Sequence, residues 1–144
     1  MTETSQDLED KLAGVPIFSG LSRRQVKKVL DKSKTVEHQA GHAIAVEGEG
    51  ALALHLILSG TASVTMHGKP VRELHEGDYF GDISLIDGKR RSATVTATSA
   101  LSALAVPHLV FQKLLDEDSD FARGLLVLLC TRLREAEQAP SPSA

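Results

Sequence analysis

The chain has 144 residues, 42% of them hydrophobic and 24% charged, which suits one folded domain with a proper core and excludes disorder away from the ends. Its net charge of -3 excludes a broad nucleic-acid footprint, and the polar, acidic start MTETSQDLED excludes a secretory or transit segment, so a cytoplasmic protein with no membrane role is expected. A single cysteine, Cys130, excludes an internal disulfide, and its apolar helical surroundings predict a buried small hydrophobe.

Residues 1–14 read as a polar segment with a short helix from Asp7 to Ala13, ended by Gly14-Val15-Pro16. The domain proper is expected over 15–137, followed by a disordered Pro/Ser tail over 138–144. Ile17 and Phe18 should dock on a core. Ser22 is a good cap for a helix ending near Ser33, with Val26, Val29 and Leu30 on one face and Arg23, Arg24, Lys27 and Lys28 on the other. A solvated basic face is the plainer reading of those charges, since no helix pair suited to reading DNA accompanies them.

From Thr35 the pattern changes to short β-prone runs between turn residues: Thr35 to Gln39, Ala43 to Glu47, Leu52 to Ser59, Thr61 to Met66 and Val71 to Leu74. The spacing predicts an antiparallel roll. In the third run Leu54, Leu56 and Leu58 alternate with Ala53, His55 and Ile57, which predicts one core face and one mixed face. The turns are Ala40-Gly41, Gly48-Glu49-Gly50, Ser59-Gly60 and His67 to Pro70.

Phe80 to Val95, FGDISLIDGKRRSATV, carries the chemistry. Gly81 lets a ligand or another backbone approach closely, and Ile83, Leu85 and Ile86 allow about one helical turn, leaving the N–H groups of Asp82, Ile83 and Ser84 as donors. Asp87-Gly88 turns the chain so that Lys89, Arg90 and Arg91 return positive charge before a strand. An arginine fork suits a phosphate.

This stretch resembles the phosphate-binding cassette of cyclic nucleotide-binding domains, the family of the catabolite activator protein and the regulatory subunit of cyclic AMP-dependent protein kinase. Phe80-Gly81-Asp82-Ile83-Ser84-Leu85 and Arg91-Ser92-Ala93-Thr94-Val95 stand at the family's spacing, and the glycine-marked turns Glu47 to Gly50 and Glu76-Gly77-Asp78 extend the likeness over roughly Val15 to Arg134. The resemblance implies a mainly β, α+β fold: an antiparallel, jelly-roll-like β-roll from about Thr35 to Val106, with N-terminal helices, a short cassette helix and a C-terminal helical pair. It implies that Arg91 holds the cyclic phosphate with backbone N–H groups near Ser92 and Ala93, that Gly81 and Asp82 face the ribose, and that Val64, Val71 and Arg72 line the purine side. Arg72 either meets the base or points into solvent. Ser92 is the small residue that goes with cyclic AMP, where threonine favours cyclic GMP. The family's glutamate is here Asp82, one methylene shorter.

The implied function is a non-enzymatic cyclic nucleotide sensor, cyclic AMP preferred, that switches its C-terminal helix and signals to a downstream protein not identifiable from sequence. A degenerate, ligand-free roll serving as an interaction module is the alternative. A homodimer through the last helix is left open, and no DNA-binding domain is expected. After the cassette, Arg91 to Ala97 and Leu101 to Val106 read as the closing strands of the roll, Pro107 as the first turn of a helix, and Phe121 to Glu137 as the longest helix, with Phe121, Leu125, Leu128, Leu129 and Leu133 on its apolar face. No metal is expected, because His38 and His42 flank a turn, and no nucleophile has a local base.

Overall fold

Two capping boxes start the two N-terminal helices. Thr4 and Ser22 side chains accept from the N–H groups of Asp7 and Gln25 at the heads of α1 (Ser5–Ala13) and α2 (Arg23–Asp31), and the Asp7 and Gln25 side chains accept from the cap N–H in return. The computed structural model describes residues 4–50, 53–81 and 89–138. Between the helices, Pro16–Phe18 makes a 3-10 turn that buries Ile17 and Phe18. Leu12 of α1 lies in the same core as Val26 and Val29 of α2, so the first helix is packed into the domain.

Among the described residues the strands are β1 (Lys34–His38), β2 (Ala43–Ala45), β3 (Ala53–Ser59), β4 (Ala62–Met66), β5 (Lys69–Leu74), β6 (Tyr79–Phe80), β7 (Thr94–Ala97) and β8 (Leu101–Pro107). They form two antiparallel sheets, ordered β1-β8-β3-β6 and β2-β7-β4-β5. This is the expected β-roll with flanking helices. Pro70 sits in β5, an edge strand, beside a register shift, where a missing N–H is tolerated. The two-residue β6 had no β-prone run to announce it; it exists because Tyr79 and Phe80 pair with Leu56 and His55 of β3.

β3 differs from the expectation of one buried face. Leu54, Leu56 and Leu58 pack against the helices, while Ile57 is fully buried among Val64, Phe80, Val95 and Ala103 inside the roll. Both faces are covered because β3 is interior to its sheet, between β8 and β6, with helices on one side and the second sheet on the other.

The C-terminal helices are α3 (His108–Glu117) and α4 (Ser119–Gln138). Pro107 is the cap before α3 and the last residue of β8, one position earlier than expected. Asp118 ends α3 and accepts from the Phe121 N–H at the head of α4, and the Gln25 amide donates to its other oxygen. Phe18, Phe111 and Phe121 form a ring cluster, with centroids 6.3, 6.5 and 5.6 Å apart, that joins the lead-in to both C-terminal helices.

Burial along α4 stops earlier than its apolar pattern. Phe121 and Leu125 are buried and Leu128 and Leu129 partly so, but Leu133 is 60% exposed. Cys130 is also exposed, against the expectation of burial, because the second half of α4 runs past the helical core. No helix among the described residues is long and apolar enough to cross a membrane. The Pro/Ser tail from 139 and the cassette turn over 82–88 lie outside the described residues.

Candidate anion-binding site

Arg91 is the described core's one buried polar or charged residue, 9% exposed. Its position is set by backbone contacts from two directions. The Arg91 N–H donates to Glu49 O at 2.7 Å, and Arg91 O accepts from the Gly48 N–H at 2.9 Å, so the turn after β2 grips the main chain of the arginine. β7 begins only at Thr94, and the main chain of Arg91 bonds to a turn instead of a strand. Glu47, at the start of that turn, donates its N–H to Thr94 Oγ1 and accepts from the His67 N–H, each at 2.9 Å.

The guanidinium is seated on the opposite strand. Arg91 Nη2 donates to Ala53 O of β3 at 2.9 Å. Gly81 makes room for it: its φ of +95° suits glycine, and a Cβ there would lie 2.7 Å from Arg91 Nη1 and 2.8 Å from Ala53 O. Phe80, next to Gly81, stacks on His55 with ring centroids 4.9 Å apart and planes 20° apart. Gly81, Arg91 and the Ala53 to His55 stretch of β3 therefore meet at one place.

The electrostatics of that place are one-sided. Among the described residues no carboxylate pairs with Arg91, and burial works against its charge, lowering its pKa from the ordinary guanidinium value. Neighbouring Arg90 is exposed and donates from Nη1 to Gly48 O at 2.9 Å. Burial, then the positive charges of Arg91 and His38, push His55 down to about 4 from 6.5. A buried cation with spare donors, held against a glycine and without a counter-charge among the described residues, is suited to receive an anion.

A stability prediction follows from His55. It is held neutral in the fold, so its contribution is fully present above the unfolded value near 6.5 and is lost as pH falls towards 4. Urea unfolding should show about 2 kcal/mol less stability at about pH 5 than at pH 7, and His55→Phe should flatten that slope. An unchanged slope in the variant would assign the acid sensitivity to other groups.

The remaining residues singled out from sequence divide by place. Ser92 is exposed and Ala93 half-buried against the roll interior. Val64 is buried in that interior; Arg72 is its cross-strand partner on β5, so the two share a face, although Arg72 itself is exposed. Val71, at the register shift of the same edge strand, is 54% exposed. Asp82, Ile83 and Ser84 lie outside the described residues. His38 and His42 stack at 5.1 Å, and among the described residues no three potential metal ligands converge.

Sequence reasoning did not single out Ala53, His55 or the grip of Glu47 to Gly50 on Arg91. The glycine-rich turn was visible, but its partner lies some forty positions away, beyond any local pattern. A groove of about 740 Å³ between α2 and α3, lined by Lys28, Lys32, Leu109, Val110 and Lys113 among others, shares no residue with this site.

Residues 35–118 match the sequence profile of the cyclic nucleotide-binding domain. The chain belongs to that family. It is 37% identical over 117 residues to a cAMP-dependent protein kinase regulatory subunit of Schizosaccharomyces pombe, covering 81% of this chain and 28% of that protein. The chain thus spans less than a third of the length of that relative. Among solved structures, Thermus thermophilus catabolite activator protein is 31% identical, with a TM-score of 0.69 over 85% of this chain and 60% of that one. The sensor domain of the Pseudomonas aeruginosa transcriptional regulator DNR superposes with a TM-score of 0.80 over 99% of this chain and all of that one, at 21% identity, which is a likeness of fold. The Schizosaccharomyces pombe relative of this cyclic nucleotide-binding domain is, by its name, a regulatory subunit.

Proposed function

We propose that this domain is a non-enzymatic sensor that binds cyclic AMP in preference to cyclic GMP, with the cyclic phosphate on Arg91. Gly81 and Asp82 face the ribose, and the N–H groups of Ile83, Ser84, Ser92 and Ala93 assist. Val64, Val71 and Arg72 take the purine side. The observation that carries this reading is the buried Arg91 guanidinium, fixed by Ala53 O and the turn of Glu47 to Gly50, with no carboxylate partner among the described residues. Support for the ligand class comes from the similarity to a cAMP-dependent regulatory subunit, and for the preference from the small Ser92.

Thermal unfolding with each cyclic nucleotide tests it. A ligand that binds only the folded state at a hundredfold excess over its dissociation constant should stabilise the protein by about 2.7 kcal/mol, and cyclic AMP should reach that effect at lower concentration than cyclic GMP. No shift with either nucleotide would overturn the reading and leave a roll that acts by protein interaction alone.

The ligand acts, in this reading, by its differential affinity for two placements of α4. Arg132 Nη2 of α4 donates to the Tyr79 hydroxyl of β6 at 2.6 Å, and Tyr79 precedes Phe80 and Gly81 by one and two positions. That bond supports a route by which a shift at Gly81 would reach the C-terminal helix. Cyclic AMP should change amide exchange along α4, and Tyr79→Phe, which removes a bond worth about 0.5–1.5 kcal/mol, should shrink that change. Exchange along α4 that ignores the ligand would remove the switch from the proposal.

A further inference from the structure

His55 is a polar ring beside Arg91 with an unmet hydrogen bond. Ala53, whose carbonyl seats the guanidinium, and His55 are two residues apart on β3, so their side chains share the face turned into the roll. The ring stacks on Phe80, and Phe80 leads directly into Gly81, against which Arg91 Nη1 lies. His55 Nδ1 is shut off from solvent and has no hydrogen-bond partner among the described residues. Buried polar atoms are ordinarily satisfied, so an orphan at the foot of a candidate site calls for a reason.

Among the described residues the charged surroundings of the ring are few. Arg91 and His38 oppose a proton on it. Lys34 stands in the same cross-strand row across Ala105 of β8, with its side chain exposed, and β6 contributes the uncharged Phe80. The chain's nearest carboxylate in sequence to Gly81, Asp82, lies outside the described residues.

We propose that His55 is a positioning residue of the Arg91 site, neutral while the site is free and taking up a proton when an anion settles on Arg91, so that ligand affinity rises as the medium becomes acidic. The inference rests on the reading of Arg91 as the seat of the cyclic phosphate. An anion cancels the part of the opposition to protonation that comes from Arg91, leaving burial and His38. Protonation makes both ring nitrogens donors, including the unpartnered one, and a cationic ring complements the anion above it. By linkage, what the anion does for the proton the proton does for the anion.

Titration calorimetry of the whole chain with cyclic AMP, in buffers of different ionisation enthalpy, tests this. Between about pH 7.5 and about pH 5 the wild-type affinity should rise by roughly threefold or more, with fractional proton uptake at the acidic end. His55→Phe, which keeps a ring on Phe80, and His55→Gln, which keeps polarity without titration, should both lose the proton uptake and the pH dependence. Binding by the wild type without proton uptake, or the same uptake in both variants, would overturn the inference and leave the Arg91 site standing. Failure of the wild type to bind cyclic AMP at any pH would overturn the site reading itself, and this inference with it.

Discussion

Arg91→Ala should weaken cyclic AMP binding by roughly 30-fold or more, while Arg90→Ala should change it by less than about threefold. The two arginines are adjacent and carry the same charge, so burial and geometry alone make the difference. Arg91 is 9% exposed, with its guanidinium seated on Ala53 O and against Gly81, whereas Arg90 is exposed and bonds a turn carbonyl at the surface. Truncating a buried partner of a charged pair costs about 2–5 kcal/mol, since the ligand's charge is left facing an emptied, poorly solvated site. An exposed cation loses little because water and salt replace it. Calorimetry on both variants checks this, and equal losses would mean that residues 89–91 act only as a diffuse basic patch.

Gly81→Ala should lower stability by about 2–4 kcal/mol and also impair ligand binding. Part of the cost is conformational, because a φ of +95° is one that an alanine resists. The rest is steric. The new Cβ would meet both Arg91 Nη1 and Ala53 O, and only the first of these is the end of a flexible side chain. Ala53 O belongs to the strand that pairs with β8 and accepts the Arg91 hydrogen bond, so relief on that side means moving the sheet or giving up the guanidinium's seat. Urea unfolding and calorimetry read the two effects separately. A Gly81→Ala protein as stable as the wild type, with unaltered affinity, would show that the close approach does not matter.

These two residues also show how much of the site was legible in the chain. Gly81 and Arg91 stand in a motif with characteristic spacing, and a local reading found both and assigned the arginine to an anion. Their dependence on Ala53 was not legible. Cys130 and Leu133 failed in the opposite direction: an apolar helical period predicted burial, but periodicity reports only which residues share a face, and the core ends near Leu129. On β3 the alternation likewise reported two faces of different character and could not say that the second sheet covers the mixed one.

The sequence by itself determined the elements whose causes are local. Ser22 with Gln25 starts a helix, glycine-marked turns separate the runs that pair into the roll, and the Gly81 to Ala93 spacing marks the phosphate motif, because caps, turns and motifs act over a few neighbouring residues. Only the tertiary structure decided that the Arg91 guanidinium is seated on Ala53 O, that His55 stacks under the site with a nitrogen unmatched among the described residues, and that Arg132 of the last helix reaches Tyr79. Those outcomes depend on strand register and on contacts 25 to 53 positions apart, where the free energy comes from burial and desolvation set by the assembled sheets.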